Sequence, residues 1–211
     1  MYGSDVLYLA SQSPRRRHLL EQLGYACSVV DVEVHEVRRA DEAPESYVRR
    51  VAREKAGAGL MELAAVPNAV VIGADTEVVL DARVFGKPRD AQSAAAMLRE
   101  LSGRDHEVLT SVWVLTAGDE QHAISRSIVR LAALNDAEIE AYVASGEALG
   151  KAGAYAIQGR AAAFVERLEG SHSGVMGLPL FETARLLSRF RHLRPGPSAE
   201  TGTQPSEGSA Q

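Results

Sequence analysis

The sharpest chemical signal is a pair of carboxylates, Asp75 and Glu77, closing an apolar run in AVVIGADTEVVL, residues 69–80. The run is β-branched and reads as a buried strand. Desolvating a carboxylate there is costly unless it meets a metal ion, a cation or hydrogen-bond donors. If the strand continues, Asp75 and Glu77 point to one face, because side chains alternate. Two such carboxylates could hold a magnesium ion, which takes oxygen ligands and bridges to phosphates. Asp75 carries this expectation, whereas Glu77 is expected to be solvated. Gly73 would let a ligand or a second backbone approach closely.

Four other segments supply complementary groups. In LASQSPRRR, residues 9–17, Ser13 suits a helix N-cap and Pro14 the first helical position. Free backbone amides at a helix start bind anions. Three exposed arginines in that turn oppose the helix dipole by about 0.3–1 kcal/mol each, a cost that a bound polyanion would reverse. In VRRVAREK, residues 48–55, positions 48, 51, 52 and 55 share one helical face. Lys55 therefore sits on the apolar side and needs an anionic partner or a route to water, while Arg49, Arg50 and Arg53 read as a solvated face. FGKP, residues 85–88, presents Lys87 on a turn. GEALGKAGAYAIQG, residues 146–159, holds four glycines, a sign of tightly packed or sharply bent backbone. Gln158 there reads as buried in an apolar setting, where an unpaired amide costs about 1–3 kcal/mol. A pyrimidine edge would satisfy it, since one amide offers both donor and acceptor, and so would an internal backbone partner.

These groups need elements to position them. Val6–Ala10 predicts a strand and Pro14–Leu23 a helix, followed by a β-rich Cys27–Val34 and a long helix over Pro44–Ala65. Ala69–Leu80 predicts a strand, and Asp90 caps a helix reaching Leu101. His106–Thr116 and Ile124–Leu131 predict strands, and Asn135 caps a helix ending near Gly146. Ala162–Glu169 predicts a strand and Leu180–Phe190 the last helix. The mixture of βα units and neighbouring strands predicts an α/β fold with a mixed sheet.

The 211 residues suit one domain, and 45% apolar residues suit a real core. A net charge of −5 and a pI near 5.7 argue against a nucleic-acid partner, so any affinity for phosphate must come from a local cluster. The single cysteine, Cys27, excludes an intrachain disulfide and a cysteine-only zinc site, and reads as an inert core thiol. Met1–Ala10 is too short and acidic for a signal peptide, and no 18-residue apolar run occurs, so the expectation is a cytoplasmic protein without a membrane partner. From Pro195 to Gln211 almost no apolar side chain occurs, which predicts a disordered tail after a domain over residues 1–194.

Taken together, LASQSPRRR, GADTEVVL, FGKPRDAQSAAAMLRELSGRDHEVLT, GKAGAYAIQG and VERLEGSHSGVMGLPLFET resemble, in that order, the Maf family of nucleoside triphosphate pyrophosphatases. The likeness runs from about Leu7 to Phe190. It implies an elongated Maf/ITPase-like α/β fold, a mixed central sheet with two lobes flanking a deep cleft. It further implies a nucleoside triphosphate substrate cut between the α- and β-phosphates, and a divalent cation, Mg2+ or Mn2+. Matched motif by motif, Asp75 stands at the place of the catalytic aspartate, described as the proton acceptor. Ser11, Arg15 and Arg16 match the phosphate-side motif, Lys55 and Lys87 the two cleft lysines. Glu36 matches an acidic position expected to share the metal with Asp75.

Within the family the chain resembles the branch acting on dTTP and UTP. That branch carries an arginine after the Ser-Pro pair, a threonine after the aspartate and a glutamine in AGAYAIQG, here Arg15, Thr76 and Gln158. The branch acting on 7-methyl-GTP differs at the threonine and is acidic near the glutamine, a pattern absent here. His35 stands where an aspartate is usual before Glu36, and His172 replaces an aromatic residue. The resemblance implies a role in clearing modified pyrimidine nucleotides or restraining cell division, and leaves a homodimer open. Alternatives are the 7-methyl-GTP activity, a non-catalytic regulator of septum formation, and a general phosphatase. The intact Asp75, Lys87 and Arg15 set speaks against an exclusively non-catalytic role.

Overall fold

A computed structural model describes residues 7–190 together with Leu193, Pro195 and Gly196. Its elements run β1 (Leu7–Leu9), α1 (Pro14–Gln22), β2 (Cys27–Val29), α2 (Pro44–Glu62), β3 (Val70–Leu80), β4 (Arg83–Phe85), α3 (Ala91–Leu101) and β5 (Asp105–Leu115). They continue with β6 (Glu120–Leu131), α4 (Asp136–Ala144), β7 (Val165–Glu169), α5 (His172–Met176) and α6 (Leu180–Leu187). One mixed sheet has the order β2-β1-β3-β5-β6-β7, with β4 hairpinned onto β3. β1 is parallel to both neighbours and the remaining pairs are antiparallel. The α/β class and the mixed sheet are as the sequence predicts. No helix among the described residues is long and apolar enough to cross a membrane.

Two apolar cores flank the middle of the sheet. One gathers Leu7, Leu9, Val70, Ile72, Ala74, Val112 and Val114 under α1 and α6. The other gathers Val78, Leu80, Val108, Val129 and Leu131 with Leu98 of α3 and Ile139 of α4. Two of the three predicted caps are present: the Asp90 and Asn135 side chains accept from the backbone of Ser93 and Glu138 in reciprocal capping boxes.

Local differences from the sequence reading have physical causes. Residues 160–164 form a 3-10 turn rather than the start of a strand, because Ala161, Ala162 and Ala163 give a strand little to pack. β2 stops at Val29 because it pairs only with β1, itself three residues long. The β3–β4 hairpin escaped the sequence reading, since its turn places Asp81 and Ala82 at φ 50° and 62° without a glycine. α5 was missed as well; Ser171 caps it by accepting from the Gly174 N–H, and Gly177 ends it at φ 115°. Ser13 precedes α1 as expected, but its hydroxyl makes no capping bond. The predicted tail lies outside the described residues apart from Pro195 and Gly196, and the Gly196 N–H donates to the Gly24 carbonyl at 2.8 Å.

His106 on β5 is buried beside Tyr155, with Nε2 and the phenol oxygen 2.8 Å apart. Burial pushes its imidazole down to about 4 from an ordinary 6.5. A depressed folded value means the unfolded chain takes up a proton first. Stability present above pH 6.5 is therefore lost as pH falls toward 4. Urea unfolding at pH 7 and 4.5 should show His106→Gln losing about 2–3 kcal/mol less than the parent chain. Parallel losses in both proteins would remove His106 as the cause.

Candidate functional site

The site is built around one close approach. A Cβ at Gly73 would meet the Ala52 carbonyl and, at 2.5 Å, the Ala56 amide nitrogen, so the glycine lets the α2 backbone rest directly on β3. Of the two readings left open for Gly73, the second backbone is the one found. Val48, Val51, Ala52 and Lys55 are buried along that helix face, as the spacing predicts. Within the turn that makes this contact, Lys55 Nζ donates to Asp75 Oδ1 at 2.7 Å and lies 2.6 Å from Glu36 Oε1. Lys87 donates to the other Glu36 oxygen at 3.3 Å from the exposed rim.

Glu77 is the main correction. It is not solvated but 7% exposed, on the same buried face as Asp75. The α2 helix covers the face that a half-exposed strand would turn to water. Burial first, then the Asp75 and Glu36 charges, push its carboxyl up to about 8 against the pull of Lys55 and Lys87. Glu36 is held below the usual carboxylate range because Lys55 and Lys87 outweigh its burial. Burial and the same three carboxylates raise the Tyr47 phenol. Asp75 Oδ2 and Glu77 Oε2 are buried and have no hydrogen-bond partner. Such atoms call for a cation, a water or a substrate donor.

Above them opens a cleft of about 690 Å³ lined by Ser11, Arg15, Lys87, Lys151 and Gln158 among others. Arg16 also lines it, and three of its guanidinium N–H groups go to the protein. Nε donates to the Gly177 carbonyl at 2.8 Å, Nη1 to Ser11 Oγ at 3.2 Å and Nη2 to Thr76 Oγ1 at 3.3 Å. Ser11 Oγ also accepts the Ser13 N–H at 3.2 Å. Thr76 Oγ1 lies 2.9 Å from Thr110 Oγ1, which donates to the Gly174 carbonyl at 2.7 Å. Arg16 and Thr76 thus lock the α5 turn to β3 and the start of α1.

Arg15, by contrast, is half-buried and makes no salt bridge among the described residues. Beside it stands Lys151, which the sequence reading left inside a glycine-rich segment without a role. Among the described residues its Nζ donates only to the Leu149 carbonyl, at 3.3 Å. Burial, then the Arg15 charge, hold its ammonium below the usual lysine range, with Glu147 opposing. Two neighbouring cations short of carboxylates suit a polyanion. Gly150 and Gly153, at φ 69° and 67°, bend the chain that carries Lys151 into the cleft.

Gln158 departs from its predicted burial. It is exposed on a turn closed by the Gly159 N–H and the Ala156 carbonyl at 2.9 Å, and it lines the cleft. His35 and His172 are both exposed. Cys27 is half-buried, and burial raises its thiol, as an inert role requires.

The donor set suits a hard divalent cation, because unpartnered buried carboxylate oxygens sit beside a third carboxylate. Among the described residues, however, no three acidic, histidine or cysteine side chains form a finished cage. Lys55 Nζ already fills the space between Glu36 and Asp75. Magnesium held by one or two carboxylates plus substrate phosphates requires no more than that.

Comparison with known proteins gives the family. Residues 6–190 match the family described as Maf-like protein. A dTTP/UTP pyrophosphatase of Xanthomonas axonopodis pv. citri (strain 306) is 56% identical over 190 residues, 88% of this chain and 98% of that one. A nucleoside triphosphate pyrophosphatase of Xylella fastidiosa (strain 9a5c) is 56% identical over 186 residues, with the same shares covered. A dTTP/UTP pyrophosphatase of Cupriavidus pinatubonensis (strain JMP 134 / LMG 1197) is 54% identical over 195 residues, 89% of this chain and 98% of that one. The Staphylococcus aureus Ham1 protein overlaps 61% of this chain and 72% of its own at 13% identity and a TM-score of 0.41, too loosely to bear on function.

Proposed function

The chain belongs to the Maf family, matched over residues 6–190, and we propose that it hydrolyses dTTP and UTP to the monophosphate and pyrophosphate. One observation carries the reading: a buried Asp75 is held by Lys55 through one oxygen and left unpartnered at the other, beside a cleft lined by Arg15, Lys87 and Lys151. The curated relatives named dTTP/UTP pyrophosphatase, more than half identical over nearly their whole length, support the substrate class.

The chemistry follows from the groups in place. Lys55 fixes Asp75 through Oδ1, which leaves Oδ2 to orient the attacking water and take its proton. Arg15, Lys87 and Lys151 stand where they neutralise triphosphate charge, and phosphoryl transfer depends mainly on such positioning and charge stabilisation. Arg16 serves this arrangement by holding Ser11 and the Gly177 turn. A divalent cation would be held by Asp75 and Glu36 together with substrate phosphates, and would supply further charge stabilisation there. Gln158 reads the base, because a mismatched edge leaves its amide unpaired.

The test is product release from dTTP, UTP, CTP, GTP, ATP and 7-methyl-GTP, with and without magnesium. Pyrophosphate from dTTP and UTP alone, and only with metal, is the expected result. Inorganic phosphate as the product, or turnover confined to 7-methyl-GTP, overturns the reaction or the branch respectively. Gln158→Ala should narrow the preference for dTTP over CTP about 10–100-fold while slowing saturated turnover less. An unchanged ranking removes Gln158 from base recognition.

A further inference from the structure

The turn that carries Gln158 is held from behind by side chains that do not line the cleft. Tyr142 Oη, on α4, accepts the Ala156 N–H at 3.1 Å and donates to Glu147 Oε1 at 2.9 Å. Glu147 Oε2 accepts the Arg160 N–H at 3.0 Å, and Oε1 accepts the Ala161 N–H at 3.4 Å. Both ends of the turn around Gln158 therefore hang on one phenol and one carboxylate. The Tyr142 ring is fixed edge-on against Phe164, centroids 5.4 Å apart. Burial raises the Glu147 carboxyl, but these N–H and O–H donors outweigh it and hold it below the usual carboxylate range.

Gly159 makes the device specific. A Cβ there would overlap both Glu147 oxygens, so the glycine lets the carboxylate press against the turn. Gln158 itself makes no hydrogen bond among the described residues and is exposed. An amide that discriminates bases by one donor and one acceptor must stand within about 0.5 Å of its working position. Nothing in its own side chain supplies that constraint. The backbone clamp does, through charge-assisted hydrogen bonds to an ionised acceptor.

We propose that Glu147, with Tyr142 linking it to Ala156, is a positioning residue for base discrimination: it sets where the Gln158 amide stands without touching substrate. This rests on the reading of Gln158 as the base-reading group. It assigns a function to the Gly146–Gly159 segment beyond its glycines, and explains why an acidic side chain is spent on backbone amides outside the cleft.

Glu147→Gln in the full chain keeps the volume and removes acceptor capacity. The expected result is faster amide exchange confined to Ala156, Arg160 and Ala161, a KM for dTTP that rises more than kcat falls, and a dTTP-over-CTP preference narrowed about 10-fold. Tyr142→Phe and Gly159→Ala, which disturb the same bonds by other routes, should reproduce the narrowing. Adding Glu147→Gln to Gln158→Ala should narrow it no further than Gln158→Ala alone, as for a residue that acts only through the other. A parental preference in folded Glu147→Gln and Tyr142→Phe overturns the proposal, and so does full additivity in the double variant. If the parent chain shows no preference among bases, the pyrimidine reading itself fails. The exchange rates then decide alone: acceleration at the three amides supports the clamp, and unchanged rates overturn it.

Discussion

Asp75→Asn should lower kcat by about 10²–10⁴-fold and leave the fold intact. The substitution keeps the oxygen that accepts from Lys55 at 2.7 Å. It removes the carboxylate whose charge, after burial, does most to push Glu77 upward. Loss of a cation's partner and relief of like-charge repulsion oppose one another, so the urea midpoint should stay near that of the parent chain. The loss should fall on kcat more than on KM, because Oδ2 acts on the attacking water and not on the nucleotide. Single-turnover pyrophosphate release from dTTP checks it. Parental turnover in the folded variant would remove Asp75 as the base.

Lys55→Met should be damaging in the opposite way, to the fold as well as to activity. Methionine fills much of the same volume, so the change is electrostatic rather than a cavity. Glu36, Asp75 and Glu77 would then face one another without the ammonium that lies within 2.7 Å of two of them. Removing one partner of a buried ion pair costs about 3–5 kcal/mol. Urea unfolding measures this directly, and magnesium should recover part of the loss because it replaces the missing charge. A stable variant indifferent to magnesium would show that the three carboxylates neither depend on Lys55 nor gather a cation.

Much of this site is legible in the sequence, for identifiable reasons. Asp75 stands out because a charge interrupts a strand-like apolar run, and Lys55 because helical phase puts it on the buried face. The caps at Asp90 and Asn135 are local chemistry, so their helices fall where predicted. Glu77 could not be read, because alternation gives its face but not whether α2 covers that face; the contact at Gly73 decides it. Arg16 is legible as a basic residue in the first helical turn, but not its protein partners, two of which lie 60 and 161 residues away. Lys151 has no local signature beyond the glycines that bend its chain. Gln158 reads as buried in the sequence because a turn held by side chains from other elements carries no periodicity. The substrate branch was legible only through resemblance to the Maf family, since no spacing of charges names a base.

The long central strands have a consequence for how the molecule comes apart. β3 gives Val70, Ile72 and Ala74 to one core and Val78 and Leu80 to the other, while β5 divides Val112 and Val114 from Val108 in the same way. Their shared ladder runs without interruption from Val71–Leu115 to Val79–Glu107, through Asp75–Ser111 at its centre. Neither half can melt alone without leaving the other half's strands frayed at mid-length, with backbone groups unpaired and apolar side chains bare. The two cores therefore share one cooperative transition, and the carboxylate cluster lies at the point where their fates are joined.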